Sequence, residues 1–215
     1  MPGVTMTEPV DAGRVADDRD HRGLRVVAED DSIDLDAAER AVRDLLVALG
    51  RDPDSEHLAG TALRVAHTYA ELLNPEPFDL TTFPNDEAYD ELVLVRDISF
   101  TSLCQHHLLP FHGVAHVGYL PAERILGLSK LARIVKLFAA DFQTQERLTM
   151  QVASWLDKHL RPKGVGVVIE ANHQCLSLRG VRAEGACTVT SAVRGLLSDD
   201  PRARDEFFAL AGTRR

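Results

Sequence analysis

Leu92-Val93-Leu94-Val95-Arg96-Asp97-Ile98-Ser99-Phe100 leads into Cys104-Gln105-His106-His107, and Gly113-Val114-Ala115-His116-Val117-Gly118-Tyr119-Leu120 follows at once. Apolar and β-branched residues fill both runs. The second half of the first run alternates apolar with polar, as a strand with one buried face does. The two runs predict paired strands, with the Cys-His cluster where the first strand runs out into the connection.

Working outward, Leu131, Ile134, Val135 and Phe138 recur at helical spacing over residues 129–140, and Leu148, Val152, Trp155, Leu156 and Leu160 do so over 144–160. Residues 165–171 and 187–193 are β-branched runs that predict a second strand pair. A last helix covers 201–211, with proline in its first turn. Upstream, Leu35, Ala38, Val42, Leu45, Leu46 and Leu49 form one apolar stripe on a helix that starts at Asp34 and ends at Gly50. A second helix runs from 61 to 73, with Thr61 as its N-cap, Val65, Tyr69, Leu72 and Leu73 facing inward, and Asn74-Pro75 as its stop. The order helix, helix, strand, strand, helix, helix, strand, strand, helix defines an α+β fold with two antiparallel strand pairs around a helix pair.

The chain has 215 residues, of which 45% are apolar, enough for one domain with a filled core. Residues 1–31 are rich in Asp, Arg and Gly without apolar period, and predict a disordered, solvated tail before a domain over 32–215. A net charge of −9 argues against nucleic acid as a partner. An anionic substrate therefore needs a local basic pocket. The three cysteines are too few and too scattered for a disulfide framework. No stretch reaches the ~20 apolar residues of a membrane span. The N-terminus carries no apolar signal core. These features predict a cytoplasmic protein with reduced thiols.

Cys104 and His107 have the Cys-x-x-His spacing with which a strand end grips one metal ion, and Cys175 offers a third ligand. Thiolate with imidazole selects zinc over magnesium or calcium, and three protein ligands leave one tetrahedral position open. Cys187, inside a β-branched run, reads as a small core residue. His106 and His173 are spare imidazoles beside the metal, suited to proton transfer near neutral pH. Gly127-Leu128-Ser129-Lys130 with Arg133 forms a helix start that offers N–H groups, a hydroxyl and two cations to a phosphate. Arg179 and Arg64 are further candidates for a phosphate. Gln145 and Glu146 put an amide and a carboxylate at a helix start, where a carboxylate can accept two hydrogen bonds from a guanine edge. Taken singly, each of these pairs is also what an ordinary solvated helix shows.

Tyr89-Asp90, Cys104-Gln105-His106-His107-Leu108-Leu109-Pro110-Phe111, Gly127-Leu128-Ser129-Lys130, Gln145-Glu146-Arg147-Leu148-Thr149, His173-Gln174-Cys175 and Arg179-Gly180-Val181 occur in the order found in the GTP cyclohydrolase I family. From about Asp34 to its end the chain resembles that family. The resemblance implies the tunnelling fold, with a β-β-α-α-β-β unit, and a homo-oligomer, usually a decamer of two stacked pentamers with active sites between subunits. It implies zinc on Cys104, His107 and Cys175. It also implies hydrolysis and rearrangement of GTP to 7,8-dihydroneopterin triphosphate and formate, the first step of tetrahydrofolate and pteridine biosynthesis. His173 would protonate the purine ring and His106 would assist near the metal. Ser129 would act at the ribose, and Gln145 and Glu146 would hold the guanine. Lys130, Arg133, Arg179 and Arg64 would hold the triphosphate.

Three positions depart from the family's pattern. Gln105 stands where glutamate is usual, Asp141 where a basic residue is usual, and Ala62 where proline is common. Loss of a negative charge beside two imidazoles is expected to lower their pKa values, and Asp141 to weaken triphosphate binding. The departures leave room for a paralogue acting on a modified GTP or purine, for example toward 7-deazapurines, or for a GTP-binding paralogue without turnover.

Overall fold

The computed structural model of the protein describes residues 33–212, together with the backbone of 4–7 and 25–28. Most of the expected tail over 1–31 lies outside the described residues. Within it, strands β1 (Val4–Thr7) and β2 (Arg25–Ala28) pair antiparallel.

Helix α1 (Leu35–Ala48) begins where expected, with the Asp34 carboxylate accepting the Ala37 N–H at 2.9 Å. Helix α2 (Thr61–Leu72) is capped differently from the expectation. Gly60, at φ 74°, is the N-cap, and Thr61 lies inside the first turn with its hydroxyl accepting from Arg64 at 2.9 Å. A left-handed residue before the helix suits glycine, so the cap moves one residue back. Ala62 and Ala66 are the buried positions of α2, and no residue of α1 is buried. Leu45 and Leu49 on the α1 stripe are 56% and 65% exposed.

Strand β3 (Phe78–Asp79) pairs with β2, and β4 (Thr82–Pro84) with β7 (Arg124–Leu126). The central sheet holds β5 (Val93–Cys104), β6 (Pro110–Leu120), β9 (Gly164–His173) and β10 (Thr188–Gly195) in the order β10-β9-β6-β5, all antiparallel. The two expected strand pairs are thus one sheet, joined by a ladder from Phe111 opposite His173 to Leu120 opposite Gly164. A two-residue strand, β8 (Phe142–Gln143), adds parallel to the end of β5, with Phe142 opposite Leu103 and Gln143 opposite Cys104.

Helices α3 (Leu128–Ala139) and α4 (Gln145–Leu160) cover one face of the sheet. There Phe100, Phe111, Val117, Val165 and Ile169 meet Leu131, Ile134, Leu148, Val152 and Leu156 in one buried cluster. Leu148 is fully buried, and cutting such a side chain to alanine costs about 2–5 kcal/mol. A single turn, α5 (Gln174–Ser177), follows β9. At the far end of the sheet, α6 (Leu196–Asp199) and α7 (Pro201–Ala211) cover the opposite face around Phe207. Gly166 is required there, because a Cβ would stand 2.6 Å from the Phe207 ring.

Strands β5 and β9 flank β6, and both run antiparallel to it. Their C-terminal ends therefore leave the sheet along the same edge, two strand spacings or roughly 10 Å apart. The first ends at Cys104 and the second at His173.

Candidate active site

After Cys104 the backbone turns tightly. Leu108 N–H bonds the Cys104 carbonyl at 2.8 Å, and Cys104 N–H bonds the Leu109 carbonyl at 2.8 Å. Leu108 sits at φ 57°, and the Tyr69 hydroxyl of α2 donates to its carbonyl at 2.9 Å. The turn turns His107 back on Cys104, with Nδ1 3.8 Å from Sγ. The single turn of α5 brings in Cys175. The ligand atoms of Cys104, His107 and Cys175 lie within 4.8 Å of one another.

These donors fit a metal ion. Tetrahedral bonds of about 2.0–2.3 Å set donor atoms roughly 3.5–3.8 Å apart. Burial, reinforced by the neighbouring Cys104 sulfur, raises the Cys175 thiol above its ordinary value, and its own backbone N–H and Arg179 only partly offset this. Two thiolates at this separation need a cation between them.

His173 is the best-held imidazole of the pocket. Its Nε2 lies 2.7 Å from Gln145 Oε1. The Gln145 amide nitrogen points to the Ile169 and Thr188 carbonyls at 2.9 and 3.0 Å, which leaves its oxygen for the ring. His173 Nε2 must therefore donate, and in the neutral ring Nδ1 is the unprotonated nitrogen. Phe111, its partner across the β6–β9 ladder, stacks on it with centroids 4.5 Å apart and planes 4° from parallel. Burial pushes the His173 pKa below its ordinary value, with the Glu146 carboxylate opposing. Phe111 carried no role in the sequence reading. A contact between facing residues of two strands leaves no spacing signal in either one.

Gln145 is buried, and its amide is spent on the sheet and on His173 rather than offered to a guanine edge. Glu146, next to it, is exposed and lines the pocket together with His106. The His106 Nδ1 lies 3.9 Å from Cys104 Sγ, and its Nε2 is 3.3 Å from the Gln105 amide nitrogen. Arg179 places NH1 2.7 Å from His107 Nε2.

The remaining phosphate candidates stand elsewhere in the chain. Helix α3 starts beside β7, whose Leu126 N–H bonds the Tyr119 hydroxyl, and Tyr119 pairs with Val93 at the start of β5. It ends near β8 and Cys104. Ser129 and Lys130 thus lie near the end remote from the pocket, across a helix of 12 residues, about 18 Å, and Arg133 sits midway along it. Lys130 Nζ is 5.9 Å above the Phe78 ring. Arg64 is bound to its own helix start through Ala59 and Thr61. Asp141, expected near the triphosphate, instead accepts the Phe142 N–H at 2.7 Å and faces Arg147 at 3.5 Å. Cys187 is exposed, not a core residue, because it falls just before β10 begins.

An α+β sheet whose edge gathers two thiols, three imidazoles and a carboxylate in one pocket defines an enzyme with a candidate metal centre. The sequence pattern of GTP cyclohydrolase I matches residues 38–212. GTP cyclohydrolase 1 of Aquifex aeolicus is 50% identical over 179 residues, covering 83% of this chain and 97% of that protein. The Streptomyces avermitilis protein of the same name is 54% identical over 178 residues, covering 80% and 88%. That of Mycobacterium bovis is 52% identical over 182 residues, covering 82% and 90%. The chain belongs to the GTP cyclohydrolase I family, an enzyme family built on the tunnelling fold.

Proposed function

We propose that the chain converts GTP and water to 7,8-dihydroneopterin triphosphate and formate, with zinc held by Cys104, His107 and Cys175. The observation that supports this best is the convergence of three soft donors, a pinned His173 and the Glu146 carboxylate on one pocket. Zinc, when bound, supplies the Lewis acidity that makes water a nucleophile near neutral pH.

The chain's own groups do the rest. Glu146 accepts the two N–H groups of the guanine edge and presents C8 to the donors. His173 moves its proton at Nδ1, since Nε2 is committed to Gln145. Its lowered pKa makes the charged ring a stronger acid, so it readily protonates the purine nitrogen as C8 becomes tetrahedral. The ring opens, a second hydrolysis releases C8 as formate, and the rearranged ribose carbons close the new ring on the freed amine with loss of one water. His106, exposed beside Cys104, carries protons between the site and water. His107, if its Nδ1 were given to the metal, would keep its ring proton on Nε2 and would leave Arg179 no acceptor there. The guanidinium is then free for a phosphate.

Ser129, Lys130, Arg133 and Arg64 serve the ribose and triphosphate from a second copy of the chain. Within one copy the start of α3 is a helix length away from the pocket. A homo-oligomeric ring, a decamer of two pentamers, supplies that arrangement. A cytoplasmic setting keeps the free thiols of Cys104 and Cys175 available for metal. No helix among the described residues is long and apolar enough to cross a membrane. The product enters tetrahydrofolate or pteridine synthesis.

The test is turnover of GTP by zinc-loaded protein, followed as formate and as pterin fluorescence after oxidation. His173→Ala is expected to lose formate release by about 10²–10⁴-fold while GTP still binds. Unchanged turnover in that variant would sink the assignment of His173.

A further inference from the structure

Arg147 lies in the first turn of α4 and is not among the residues that line the pocket, yet three bonds of its guanidinium go to the segment before the helix. Nε donates to Gln143 Oε1 at 2.7 Å, NH2 donates to the Phe142 carbonyl, and NH2 stands 3.5 Å from Asp141 Oδ2. Its backbone N–H bonds the Thr144 hydroxyl at 3.2 Å. One side chain thus holds every residue from 141 to 143.

That segment is β8, and it touches the candidate metal turn directly. The Gln143 carbonyl accepts the Gln105 N–H at 3.0 Å, and Gln143 is the ladder partner of Cys104. Gln105 is the residue between the ligand Cys104 and His106, and its amide reaches the His106 ring at 3.3 Å. Two rungs are a short ladder for a strand on a sheet edge. The Gln143 side chain adds bonds to the Phe138 carbonyl and to Gln151, both at 2.8 Å, and the Ser102 hydroxyl bonds the Asp141 carbonyl at 3.2 Å. All of these bonds converge on β8.

We propose that Arg147, with Asp141 as its acidic partner, is a positioning residue that locks β8 to α4 and so fixes the Cys104–His107 turn relative to Gln145, Glu146 and His173. The path runs from Asp141 through Arg147, Gln143 and Gln105 to His106. It joins the two halves of the site, the turn after β5 and the start of α4. The inference rests on the ligand assignment given under Proposed function.

The experiment uses the full-length chain in its assembled form. Arg147→Met and Arg147→Lys are compared with the parent by three measurements: kcat per bound metal against KM for GTP, metal affinity by competition with a chromophoric chelator, and the visible absorption of the cobalt(II)-substituted protein. Arg147→Met is expected to lower kcat per bound metal by about 10–100-fold with KM unchanged, to weaken metal binding by about 10-fold or more, and to shift the cobalt bands. Arg147→Lys keeps a cation for Asp141 and recovers part of each. A role in stability alone predicts fewer folded sites, each with parental kcat and cobalt spectrum, and that result overturns the proposal. If Arg147→Met does not fold, Asp141→Asn decides. A smaller kcat loss at unchanged KM supports the clamp, and parental kcat overturns it. A parent chain that shows no thiolate-type cobalt spectrum would overturn the ligand assignment and this inference with it. Parental bands in every variant would overturn this inference alone.

Discussion

The C-terminal ends of β5 and β9 lie on one sheet edge and are held in opposite ways. At the end of β9, His173 is stacked on Phe111, bonded to Gln145 and partly buried. At the end of β5, Gln105, His106 and His107 are exposed, and the turn is fixed by backbone bonds, by Tyr69 and by β8. The first end is set by the core and keeps one proton site in one tautomer. The second is a turn of donors, Cys104 and His107, whose sulfur still needs a cation between it and Cys175 of α5. Preorganisation is thus spent on the His173 imidazole, and the donor turn is left for a cation to complete.

That difference can be broken from either side. Cys175→Ser removes a donor outright. It is expected to weaken metal binding by more than the ~100-fold that loss of an outer partner costs, and to abolish turnover, checked by metal content after dialysis and by formate. Gln145→Met keeps the buried volume of the side chain but frees His173 Nε2. It is expected to lower kcat by about 10–100-fold with metal content unchanged, so that the donor set and His173 fail by separate routes. Metal loss in Gln145→Met would show that the two are not independent.

The smallest effect concerns stability against pH. His173 has a folded pKa below its ordinary value of about 6.5. Between the two values the unfolded chain binds the extra proton, so stability rises with pH in that window. Its stability is complete above about pH 6.5 and declines as pH falls from there toward the folded value. Thermal midpoints of the parent and of His173→Asn, followed from about pH 8 to 5, are expected to diverge below about 6.5, the parent losing more. Parallel curves would contradict the burial argument.

Much of this was legible in the chain. Period-2 and period-3.6 patterns located β5, β6, β9, β10, α3, α4 and α7, because each buries one face, α7 in the cluster around Phe207 and α3 and α4 in the larger one. Asp34 and Thr144 act as N-caps through their own side chains, the Asp34 carboxylate accepting from Ala37 and the Thr144 hydroxyl from Arg147. The two-residue strands β3 and β8 were not legible. They are too short to carry a period and exist only where a neighbour offers an edge. Thr61 misled as a cap because glycine's conformational freedom, not side-chain chemistry, decides that helix start.

For the site, residue types and spacing were enough to single out Cys104, His107 and Cys175 as candidate donors, which the structure brings together, and His106 and His173 as imidazoles beside them. These depend on local chemistry that a short stretch carries by itself. Tertiary structure alone decided that β5 and β9 end on one edge, that the Gln145 amide bonds His173 and two strand carbonyls, and that Asp141 meets Arg147. It also decided that Ser129 and Lys130 stand a helix length from the pocket. Each of these follows from strand pairing or helix docking between segments far apart in sequence. Register and facing side chains belong to the pair, and neither segment encodes them alone.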